Sequence, residues 1–217
     1  MLIAEDKMKA EFLLKMHKMA QQDFKESLEI WSPQRELLIS RAKVSLGTSL
    51  ELLCEKYNLL QKKGETQELH YVYLSFLRTS ILCHMPWYRL DAYDSRDCIS
   101  DVECGERWDI PEISGCLYSI VNKIQIEFSK QSRVKEYELD EITYQLAEQY
   151  YKECKSMFAE ILEKILIDKG EKILGEKRVD FMMGEFLGKT DFILRWEQGK
   201  IIFDQVNEQQ GEEETML

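Results

Sequence analysis

Residues 69–94, LHYVYLSFLRTSILCHMPWYRLDAYD, decide how the rest of the chain is read. From Leu69 to Met85, apolar side chains fall on almost every face of a would-be helix. Leu69, Val72, Phe76 and Leu77 lie toward one side, and Tyr71, Leu74, Leu82 and Met85 toward others. A helix apolar all round is buried by its neighbours or by a bilayer. His70, Ser75, Arg78, Thr79 and Ser80 interrupt this one too often for a membrane span. The stretch is therefore expected to be the central helix of a bundle, capped by Thr66 and ended by Pro86, because proline disfavours helical geometry at the residue before it. Beyond it, Tyr88, Leu90 and Ala92 alternate with Arg89 and Asp91, a period of two that predicts a short strand.

Amphipathic helices flank this centre. Met8, Phe12, Met16, Met19, Phe24, Leu28 and Trp31 form one stripe and predict a helix over 4–31. Ser32-Pro33 marks a break and restart, with Ser32 as N-cap and Pro33 at the first helical position. Leu38, Ala42, Leu46, Leu50, Leu53, Tyr57 and Leu60 continue a second helix to Lys63, stopped by Gly64. An acidic, irregular connector follows at 95–109. Asp109-Ile110-Pro111-Glu112 then opens a fourth helix carrying Ile113, Leu117, Ile120, Val121, Ile124 and Phe128. Asp140 caps a fifth, with Ile142, Leu146, Tyr150, Cys154, Met157, Ile161 and Ile165 on one side and Gly170 as its end.

Alternation at Val179, Phe181 and Met183, and again at Phe192, Leu194 and Trp196, suggests a hairpin turning at Gly188-Lys189-Thr190. The expected architecture is mainly α: a bundle of about five long helices over 1–170, with a small C-terminal β-hairpin or mixed appendage over 171–206. Residues 207–217, NEQQGEEETML, have too little apolar surface to fold and are expected to be a mobile acidic tail.

The formal charge is −11, and residues 65–115 alone hold ten acidic against four basic side chains. Such a balance argues against nucleic acid and against an anionic membrane surface as partners. Six cysteines without a CxxC spacing read as reduced thiols, and no basic-then-apolar leader or long apolar run appears. The expected location is cytoplasmic.

Chemistry is sparse. No Gly-x-Ser-x-Gly elbow, phosphate-cradling glycine loop or Gly-x-Gly-x-x-Gly is present. His70 and His84 stand fourteen residues apart, about 21 Å along a helix, too far for one metal. Cys83, His84, Cys98 and Cys104 match no common zinc spacing. The acids Asp91, Asp94, Asp97, Asp101, Glu103, Glu106 and Asp109 lack the glycine and closing glutamate of a calcium loop. No metal and no cofactor is expected.

The best candidate site is a pocket around Arg78, His84, Trp87, Arg89 and Asp91. A buried guanidinium requires a carboxylate, carbonyls or an anionic ligand. The bland counterpart is an internal Arg–Asp network. Tyr71, Tyr73, Trp87, Tyr88, Tyr93 and Trp108 either line a ligand pocket or close the end of a core. Two functions follow: an interaction or regulatory protein that binds a protein partner or itself, or an enzyme or small-molecule (anion) binding protein using that pocket.

Overall fold

The sequence 71–76, Tyr-Val-Tyr-Leu-Ser-Phe, is a strand and not part of a helix. In the computed structural model it is β1 (Tyr71–Phe76), and a five-residue helix α3 (Arg78–Leu82) follows it. The structure describes residues 2–83, 87–109 and 111–203, with side chains omitted for 2–6, 78 and 111–114. Pro86, Ile110 and the tail after residue 203 lie outside it. The other strands are β2 (Tyr88–Tyr93), β3 (Gly105–Trp108), β4 (Arg178–Glu185), β5 (Thr190–Glu197) and β6 (Lys200–Ile202). The long helices are α1 (Leu2–Trp31), α2 (Arg35–Lys62), α4 (Pro111–Ser129) and α5 (Glu136–Leu174).

All six strands form one mixed sheet in the order β3-β2-β1-β4-β5-β6. The fold is α/β, so the expectation of a mainly α bundle is overturned. Its presumed central helix is instead a central strand. A short run buried on both sides has the same periodicity in either conformation, and length, flanking breakers and aromatic or β-branched content must separate them. The hairpin residues are no appendage either. β4 and β5 pair antiparallel, and β4 also runs parallel to β1, with Tyr71 opposite Asp180 and Phe76 opposite Glu185.

By contacts the chain divides into two units, residues 1–42, 77–87 and 109–157, and residues 43–76, 88–108 and 158–217. In the first, aromatic packing dominates. Phe24 meets Tyr150 edge-on at 4.8 Å between ring centres, and Phe12 meets Phe128 at 5.3 Å. Tyr150 shares a 2.7 Å hydrogen bond with Ser27, and the Trp31 indole N–H donates to Cys116 Sγ at 3.2 Å. Ser32-Pro33 produces only one tight turn, for Trp31 and Arg35 both keep right-handed helical angles. α5 starts a turn before Asp140. The Glu138 carboxylate accepts the Lys135 N–H at 2.7 Å, as a capping-box glutamate does.

In the second unit, one sheet face is apolar and packs against α2 and α5. Val72, Leu74, Leu90, Ala92, Val179, Phe181, Leu194 and Trp196 are buried. The Trp108 indole donates to Ser45 Oγ at 2.9 Å and its ring lies 6.1 Å from Phe158. Gly170 does not end α5, which continues to Leu174, with Gly175 at φ +63° beyond it. Gly170 is where Trp196 presses on the helix: a Cβ there would stand 2.5 Å from Trp196 Cη2. Gly64, at φ +76°, follows α2 as expected. Among the described residues, no helix is long and apolar enough to cross a membrane.

Candidate functional site

The strand alternation that sends Val72 and Leu74 into the core turns Tyr71, Tyr73 and Ser75 to the opposite face. Register then sets their neighbours. Tyr71 faces Tyr93, Tyr73 faces Asp91 and Ser75 faces Arg89 on β2, while Ser75 faces Gly184 on β4. This second face holds a cavity of about 270 Å³. Tyr73, Ser75, Asp91 and Tyr93 line it from the strands, Asp97 and Cys98 from the connector, and Glu185 to Gly188 with Thr190 from the β4–β5 turn. Gly184 lets that turn fold close over the sheet, since a Cβ there would lie 2.2 Å from the Lys189 carbonyl oxygen.

Asp91, 2 % exposed, is held by Arg89, whose Nε donates to both carboxylate oxygens at 2.7 and 2.9 Å. A second nitrogen of Arg89 donates to Glu103, and the guanidinium carbon lies 4.7 Å from the centre of the Phe186 ring. Gly105 leaves room for the pair: a Cβ would stand 3.0 Å from Asp91 Oδ1. Burial pushes the Asp91 carboxyl above its usual range in spite of Arg89. Tyr73 donates its hydroxyl to Asp97 Oδ2 at 3.0 Å, and its ring meets Tyr93 edge-on at 5.6 Å. Burial, and then the carboxylate it faces, raise the Tyr73 phenol; burial, and then Asp91, raise that of Tyr93. The Cys98 thiol is pushed up to about 11, by burial first and then by Asp97, and it is no activated nucleophile.

Ser75 differs from these. It is 2 % exposed, it lines the cavity, and its hydroxyl has no hydrogen-bond partner among the described residues. The residue is buried, yet its oxygen is open to the cavity and free to hydrogen-bond a group that enters it. Asp97 and Leu187, also in the lining, hold positive φ of 57° and 55°, a backbone strain that gathers at binding sites. A larger hollow of about 530 Å³ lies beside Gly170 and Trp196, but its charged liners, Asp168, Lys169, Glu171 and Lys172, are all exposed.

Of the residues singled out from the sequence, the structure brings Arg89 and Asp91 together, with Asp91 in the cavity wall. Trp87 is half-buried in the first unit. The Arg78 side chain and His84 lie outside the described residues. Cys104 is buried near the Leu53 carbonyl, and Cys98 sits beside Asp97. Among the described residues, no group of His, Cys, Asp and Glu could hold a metal ion. Ser75 was missed, and the turn at Gly188-Lys189-Thr190, expected from the sequence as a hairpin turn, was not connected with a site. The tyrosines and Asp97 were noticed only as an aromatic cluster and an acidic run, whose convergence depends on strand register. Comparison of the chain with protein-family models, with curated proteins and with solved structures found no match.

Proposed function

We propose that this protein binds a small molecule in the cavity on the polar face of its sheet. The observation that carries this reading is Ser75, a buried residue whose unpaired hydroxyl opens into a 270 Å³ cavity. That volume falls just below the range of drug-sized ligand pockets, which run from about 300 Å³ upward, and suits only a compact ligand. Arg89 is an internal strut, already holding Asp91 and Glu103. An anion would therefore have to displace a carboxylate to use it. Screening a library of small cationic, neutral and anionic fragments against the ¹⁵N-labelled protein tests the reading. Binders should shift the Ser75, Tyr93 and Gly188 amides and lose that effect in Ser75→Leu, which fills the cavity. A library that leaves these amides unmoved at millimolar concentration would sink it.

A second reading, self-association, is favoured by exposed leucine and valine on α2. Val44, Leu52 and Leu59 all face solvent and fall within about a quarter turn of one another. Antiparallel pairing about Thr48 would set Val44 against Leu52 of a second copy, a self-complementary contact of the two-fold kind. Sedimentation velocity should show a dimer that Leu52→Lys dissolves. A monomer at millimolar concentration would refute it.

A further inference from the structure

Resting on the small-molecule reading above, we infer that the ligand is a protonated primary alkylamine, held by its ammonium group. Charge sets the sign of the ligand. Asp91, Asp97 and Glu185 line the cavity and no Lys, Arg or His does. Arg89, which adjoins the lining residues Asp91 and Phe186, is committed to Asp91 and Glu103. An anion entering this space would meet three carboxylates, one of them already paired with Arg89, whereas a cation would be attracted to them.

The walls add a second preference. Tyr73 and Tyr93 offer ring faces and edges at right angles, and a cation is attracted to the face of an aromatic ring. The site already displays such a contact, with Arg89 stacked over Phe186 at 4.7 Å. Ser75 then separates ammonium types. A quaternary ammonium has no N–H and would leave the Ser75 hydroxyl unpaired. A primary ammonium brings three donors, matched by the Ser75 hydroxyl and the carboxylates of Asp91 and Asp97. An alkyl chain is the remaining requirement, because the outer lining is Phe186 and the exposed Leu187.

The test is a set of four probes of similar size, n-butylammonium, tetramethylammonium, n-butanol and butyrate, titrated into the full chain by amide shifts at fixed ionic strength. Butylammonium should bind at least about tenfold more tightly than butanol or butyrate, and Ser75→Ala should abolish its advantage over tetramethylammonium. Asp97→Asn should weaken butylammonium and leave butanol unchanged, with thermal melting confirming that both variants fold. Equal or tighter binding of butyrate or butanol in the same cavity overturns the amine assignment and leaves the cavity a ligand site. Failure of all four probes while other fragments bind there also overturns the assignment alone. If neither probes nor fragments move the cavity amides, both readings fall together.

Discussion

Gly170 shows how one missing methyl can be a packing requirement. Its Cβ would stand 2.5 Å from Trp196, and that indole cannot swing away: it is buried and its N–H donates to the Gly175 carbonyl at 2.9 Å. Gly170→Ala should therefore lower stability by about 1–3 kcal/mol in urea titration. Gly115→Ala, on an exposed helical position with nothing within 4 Å, should raise it by up to about 1 kcal/mol. Asp94 supplies a pH signature. It is fully buried, accepting from the Arg96 side chain and from Thr66 Oγ1 at 3.0 Å, and its carboxyl is held well below the usual 3.8, first by Arg96. A carboxyl depressed on folding stabilises at pH values above its unfolded pKa and loses that contribution as pH falls toward its folded one. The melting temperature should begin to drop as pH falls below about 4 and keep dropping toward the folded value, and Asp94→Asn should flatten that drop. An unchanged slope in the variant would show that Asp94 does not carry it.

Among the elements, β1 is the one that every reading of the chain must get right. Its alternation of Tyr71, Tyr73 and Ser75 with Val72, Leu74 and Phe76 was there to be seen, yet the apolar run continuing to Met85 outweighed it. The long helices were legible because each has one stripe and a polar remainder. β1 has no such remainder, being covered on both faces and both edges. The cavity was hidden with it. Arg89 and Asp91 stand two residues apart on a strand, so their shared face could be read directly. Ser75 was written into a helix, and the turn that covers it lies more than a hundred residues downstream. Hydrogen exchange should find the β1 amides among the slowest in the sheet and those of the edge strand β6 among the fastest. Fast exchange throughout β1 would contradict its central position.

For the whole molecule, each unit draws on separated stretches of chain, so any cut between residues 43 and 157 divides both. A fragment of residues 1–170 would lack β4, β5 and β6 and leave β1 with a bare edge of backbone donors and acceptors. It should collect in the insoluble fraction on expression, while the full chain does not. A monodisperse, well-dispersed NMR spectrum from that fragment would count against the described sheet. The parallel pairing of β1 with β4 also sets an order of events during synthesis. Tyr71 leaves the ribosome long before its partner Asp180 exists. At about 5–20 residues per second, the middle strand waits some seconds with one side open. The closing step joins positions far apart in sequence, the kind of contact that slows folding most. Until the last hairpin arrives, the centre of the finished sheet is its most vulnerable edge.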